Sequence, residues 1–132
     1  MTRFSANLGF LWSDRPLVDA IHAAHDAGFE AVECHWPYDH DPAEVKAALD
    51  ATGLAMLGLN TLRGDVASGD NGLTALPGRR DEARMAIDQA IAYAGFINTP
   101  KIHVMAGVAG GMPAEARFID KLRHAPKTPP DI

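Results

Sequence analysis

The apolar pattern of this chain switches four times between short strand-like runs and longer helix-like periods, which confines it to parallel α/β folds built from strand-helix units. The strand-like runs are residues 3–8, 31–35, 54–59 and 101–105. After the first, Ser13-Asp14-Arg15-Pro16 reads as a cap-then-proline helix start, with Leu17, Ile21 and Ala24 on one face and Gly28 as the stop. After the second, Asp41-Pro42-Ala43-Glu44 places an N-cap aspartate, an N1 proline and an N3 glutamate before Val45, Ala48 and Leu49, and Gly53 ends that helix. The third run, 54–59, has no charge, as a strand covered on both faces should. Residues 61–78 then read as a long glycine-rich loop, a length that inside compact domains is usually functional. Ala83, Ile87, Ala90, Ile91 and Ala94 follow at helical spacing. After the fourth run, a glycine-rich turn at 107–111 leads to a last helix with Phe118 and Leu122 one turn apart.

Eight such units make a (β/α)8 TIM barrel of about 250 residues, and the four here occupy 132 residues. The expected fold class is therefore α/β, with about four parallel (β/α) units corresponding to the N-terminal half of such a barrel. The expected division is a partial barrel over residues 1–124 and an irregular tail over 125–132, where Pro126, Pro129 and Pro130 oppose both helix and strand. An open doubly wound sheet is the competing architecture. Neither Leu8-Gly9-Phe10-Leu11 nor Gly107-Val108-Ala109-Gly110-Gly111 matches its dinucleotide or P-loop spacings.

Charge and cysteine content narrow the function classes. Twelve Lys and Arg stand against 17 Asp and Glu, for a formal charge of -5, and no basic run could track a phosphate backbone, so nucleic acid is not an expected partner. Cys34, the single cysteine, excludes a disulfide-stapled fold and makes the reducing cytoplasm the expected compartment. No stretch approaches the roughly 20 apolar residues of a membrane span.

In a barrel, chemistry sits where strands end and βα loops begin. That rule selects Asn7, Glu33, His35, Trp36, Asn60 and His103, a set of amides, a carboxylate, imidazoles and an aromatic wall suited to a small polyhydroxylated substrate. Each has a plainer reading beside it. Asn7 and Asn60 serve equally well as turn residues, Glu33 as half of a structural salt bridge, and His103 as a core histidine. Arg63, Arg79, Arg80 and Lys101 are the cations placed to meet a substrate carboxylate, with Arg63, inside the long loop, first among them. His35, Asp39, His40 and Asp41 lack a fixed metal-ligand spacing and read as a solvated loop; His22 and His25 read as an outer helix face. Cys34 alternates with Glu33 and His35 and is expected to point into packing.

Several stretches resemble the hydroxypyruvate isomerase family: Phe4-Ser5-Ala6-Asn7-Leu8, Gly28-Phe29-Glu30-Ala31-Val32-Glu33 with Pro37-Tyr38-Asp39, Gly64-Asp65, Gly69-Asp70-Asn71-Gly72, Leu76-Pro77-Gly78-Arg79 and His103-Val104-Met105-Ala106-Gly107. The resemblance runs over residues 3–124 and implies a xylose-isomerase-like barrel. It also implies isomerisation of a small anionic sugar acid, such as hydroxypyruvate to tartronate semialdehyde, by proton transfer through an enediolate. A divalent metal such as magnesium is implied for the full-length family. The paired glutamates and other metal ligands that the resemblance implies lie on strands beyond Ile132, so no catalytic residue, no metal ligand and no cofactor is expected within this chain, which alone should be inactive. Two local departures, at Cys34-His35-Trp36 and at Gly69-Asp70-Asn71-Gly72, bear on the substrate. A half-barrel that self-associates through exposed sheet edges and an uncovered apolar face, as a binding or structural module without catalysis, is the alternative expectation.

Overall fold

The computed structural model describes residues 1–125; residues 126–132 of the expected proline-rich tail lie outside the described residues. The chain divides into two compact units, one of Met1–Leu59 with Tyr93–Ile102, the other of Asn60–Ala92 with 103–125 among the described residues.

The first unit is a three-stranded parallel sheet, β1 (Ser5–Asn7), β2 (Ala31–Glu33) and β3 (Ala55–Met56), in that spatial order, crossed over by α1 (Leu17–Asp26) and α2 (Pro42–Thr52). Burial alternates along the strands as a two-residue period demands. Ala6, Val32 and Met56 are buried, while Ser5, Asn7, Ala31 and Glu33 are half-exposed and Ala55 exposed. The helices supply Leu17, Ala20, Ile21 and Ala24 from α1 and Val45, Ala48 and Leu49 from α2, the faces expected from periodicity. Complete burial of Ile21, Val32 and Val45 is worth about 1.5–3 kcal/mol each. The uncovered face thus carries small and polar side chains, Ser5, Asn7, Ala31, Glu33 and Ala55, and not the apolar surface expected.

Local chemistry explains the helix ends. Asp41 caps α2, its Oδ1 accepting from the Ala43 N–H at 2.8 Å, and Gly53 closes it at φ 72° with its N–H on Leu49 O. The start of α1 differs from expectation. Pro16 itself holds the cap position and no side chain caps the helix, because the Arg15 N–H bonds Trp12 O and draws Ser13 into a separate turn. The third apolar run is also not one strand. Residues 55–56 pair with β2, and β4 (Leu59–Asn60) begins afresh, with Leu59 N–H donating to Lys101 O.

In the second unit, β5 (Ile102–His103), which like β4 straddles the division between units, accepts at His103 O from Thr61 N–H at 3.0 Å. The expected long loop is an ordered structure. A 3-10 turn at Val66–Ser68 is capped by Asp65, Gly72 bridges Ala106, and Leu73 N–H, Thr74 Oγ1 and Ala75 N–H bond the Met105 and Ala106 carbonyls. Gly72, at φ 117°, and Gly107, at φ 88°, lie back to back, so that a Cβ on either would strike the other's backbone. Leu73 and Leu76 pack on Ala83 and Ala86 of α3 (Arg80–Ile97). Along that helix Ala83, Ile87, Ala90 and Ala94 are buried as expected, and Ile91 is half-buried.

The last helix, α4 (Gly111–His124), forms where expected and buries Ala114 and Lys121, two turns apart, with Phe118 half-buried and Leu122 exposed. Polar ties fix it. Arg80 and Arg84 reach Asp120, His124 reaches Asp88, and Arg117 Nε donates to Ala75 O at 2.7 Å.

Gly72→Ala should destabilise the chain by about 2 kcal/mol or more, since it adds left-handed strain to a backbone collision; urea unfolding of the two proteins measures the difference.

Candidate functional site

The C-terminal ends of β1 and β2 bring two of the expected residues together. Asn7 and Glu33 are register partners on the uncovered sheet face, where a parallel ladder places paired side chains side by side. The Asn7 Oδ1 accepts from Gly9 N–H at 2.9 Å, so the turn role holds, and its amide NH2 is the group left to offer a ligand. Among the described residues Glu33 makes no ion pair.

His35 and Trp36 follow on the β2–α2 loop, both half-buried. The His35 ring lies between Phe10 at 4.9 Å and Trp36 at 5.1 Å, each edge-on, and directly over Gly9, where a Cβ would enter the ring. The sequence marks Gly9 only as part of a stretch without a nucleotide fingerprint, because a lone glycine after a short strand is common. Behind them Cys34 is buried, and that burial pushes its thiol up to about 12, so it stays protonated and is no nucleophile. The neighbouring Tyr93 ring packs edge-on against Tyr38 and its hydroxyl donates to His40 O at 3.0 Å; burial raises the pKa of both phenols.

Asn60, Arg63 and His103 belong to the second unit. Asn60 and Arg63 are half-buried, and His103 is exposed, so it is not a core histidine. Of the other cations considered, Arg79 is committed to the fold. Its guanidinium donates to Asp70 at 2.8 Å and to Glu82 at 2.6 Å. Arg80 pairs with Asp120, and Lys101 is exposed. Asp70 in turn accepts from Asp65 N–H at 2.8 Å, so Arg79 anchors the whole 65–79 segment. Sequence spacing marked Arg79 as a cation but could not show that carboxylates nine residues before and three after it converge on one guanidinium.

Among the described residues no three His, Cys, Asp or Glu side chains converge where they could hold a metal ion. The residues present therefore do not fit the metal that the resemblance implies for full-length proteins. His22 and His25 lie exposed on α1, His25 beside Asp26. No helix is long and apolar enough to cross a membrane among the described residues.

A model of the xylose isomerase-like TIM barrel family matches residues 21–128. The chain belongs to this family. Its relatives include the 2-oxo-tetronate isomerase of Cupriavidus necator, 46% identical over 88% of this chain and 44% of the relative. The hydroxypyruvate isomerase of Escherichia coli is 35% identical over 95% of this chain and 50% of the relative. A crystal structure described as an AP endonuclease, family 2, from Brucella melitensis superposes with a TM-score of 0.87 at 33% identity, covering 94% of this chain and 49% of that one. The E. coli 3-keto-D-glucoside 4-epimerase, at 16% identity and a TM-score of 0.62, shares the fold. The chain spans about half the length of the curated relatives it matches, and the half-barrel reading of its strand-helix units holds.

Within this family member, the Arg79 cluster is expected to make the second unit acid-sensitive. Hydrogen bonds from Arg79 hold the Asp70 and Glu82 carboxyls below their usual range. A depressed folded-state pKa gives stability that is complete above the ordinary carboxylate value of about 4 and is lost as pH falls through the folded values. Arg79→Ala should therefore lower stability at pH 7 and lessen the loss between about pH 5 and pH 2, checked by urea midpoints across that range.

Proposed function

We propose that this chain forms the first-half wall of the pocket of an intramolecular isomerase acting on a small 2-oxo sugar acid, of the hydroxypyruvate or 2-oxo-tetronate kind. The observation that carries it is the pairing of Asn7 with Glu33 at the C-terminal strand ends, on the one sheet face the helices leave open, together with relatives named for those two activities. Barrel enzymes work at that end.

The reaction removes a proton alpha to a carbonyl and returns one to the neighbouring carbon. Glu33 suits a hydroxyl of the substrate as acceptor, or a proton in transit, and the Asn7 amide suits an adjacent oxygen as donor. His35 and Trp36 follow them on the next loop, and Asn60, Arg63 and His103 are the candidate polar residues of the second unit. Residues of a second half must supply the rest, including any magnesium site.

The test is complementation. The chain alone, given hydroxypyruvate and magnesium, should show no turnover; mixed with the second-half polypeptide of the E. coli relative, it should gain turnover that Glu33→Gln lowers about 100-fold. Turnover by the chain alone, or restored turnover indifferent to Glu33, would overturn the reading.

A second reading, self-association without catalysis, draws on one observation. β1 is an end strand, and Phe4 and Phe10 beside it are 73% and 75% exposed. Light scattering at micromolar concentration should then give a dimer that Phe4→Ser with Phe10→Ser dissolves, and a monomeric parent chain rules it out.

A further inference from the structure

The first unit contains an open cavity of about 230 Å³ between the loops that follow β1 and β2. Its walls are apolar at Leu8, Leu17 and Pro37, and its polar groups are Ser13, Arg15 and the imidazoles of His35 and His40. No carboxylate lines it, although the chain as a whole carries a formal charge of -5. The only fixed charge on the walls is that of Arg15.

Arg3, Arg79, Arg80 and Arg84 are paired with carboxylates. Arg15, like Arg117 and Arg123, makes no ion pair among the described residues, but it alone of these lines the cavity. The two histidines that line the cavity with it are held in place. The His35 ring is fixed by Gly9, Phe10 and Trp36, and His40 is fixed by its N–H on Pro37 O and by the Tyr93 hydroxyl on its carbonyl. A cation, a hydroxyl residue and two histidines lining one cavity with apolar walls supply the groups that receive negative charge.

We propose that this cavity binds a small oxyanion, a carboxylate or phosphate group, through Arg15, Ser13, His35 and His40. Its volume lies below the roughly 300–1,000 Å³ of sites for drug-sized ligands, so the ligand has few atoms beyond the anionic group. Neither Asn7 nor Glu33 lines the cavity. His35 and Trp36 also belong to the proposed isomerase wall, so the inference rests in part on that reading, but its test is binding by this chain alone, which turnover on complementation does not decide.

Titration of the isotope-labelled full chain at low ionic strength, followed by amide NMR shifts, tests it with two probes, inorganic phosphate and D-glycerate. Saturable shifts at Gly9, Ser13, His35 and His40 are expected with at least one probe, and the tighter probe identifies the preferred anion. Arg15→Ala should weaken binding by about 10-fold and Ser13→Ala by a few-fold. Arg3→Ala, an equal loss of charge outside the cavity, should leave it within about 2-fold. No saturable shift with either probe, unchanged affinity in both cavity variants, or an equal loss in Arg3→Ala would each overturn the proposal.

Discussion

The parallel pairing of β1 with β2 is the constraint from which the rest of the first unit follows. Ala6 and Val32 are register partners and both are 0% exposed, so the two strands have one obligatory buried side, and α1 and α2 must deliver apolar faces to it. A parallel ladder cannot be joined by a tight turn, which forces a crossover helix between successive strands. The same two-residue period that buries Ala6 and Val32 sends Asn7 and Glu33 to the opposite side. Packing on one face thereby positions chemistry on the other.

In the second unit the organising contact is backbone against backbone. Gly72 and Gly107 meet where no side chain fits, and around them the 61–79 segment exchanges hydrogen bonds with residues 103–106. Thr61, almost fully buried, serves both ways, its N–H donating to His103 O and its hydroxyl accepting from Met105 N–H at 3.0 Å. The Asp70–Arg79–Glu82 cluster then ties the segment to the first turn of α3. Two stretches that carry the family resemblance, Gly69-Asp70-Asn71-Gly72 and Leu76-Pro77-Gly78-Arg79, are accounted for by this clamp. Their residues hold a loop in place.

Much of the architecture was legible beforehand because it rests on local rules. The faces of α1, α2 and α3 followed from periodicity, and Asp41, Pro42 and Gly53 marked the ends of α2 because each has a conformational preference that acts within a few residues. The departures have non-local causes. Residues 54–59 look like one strand to any periodicity argument, yet their partners change from β2 to the segment at Lys101, and partner choice is not encoded in hydropathy. Spacing sets Phe118 and Leu122 one turn apart on the last helix, but the buried line on α4 runs through Ala114 and Lys121, set by what the helix packs against.

For the candidate site, the sequence determined which residue types stand at the ends of strands: Asn7, Glu33, His35, Trp36, Asn60 and His103 are read directly from where apolar runs stop. It determined also that Cys34 turns inward, since alternation along a strand is local. Only the tertiary structure decided that Asn7 and Glu33 are neighbours, that Glu33 lacks an ion pair among the described residues, that Arg79 is consumed by two carboxylates, and that Arg15, His35 and His40 line one cavity without acids. Each of these depends on register or on contacts between residues distant in the chain. Hydropathy and turn chemistry act over a turn of helix or a pair of strand residues, and they carry no information about which distant side chain completes a pair.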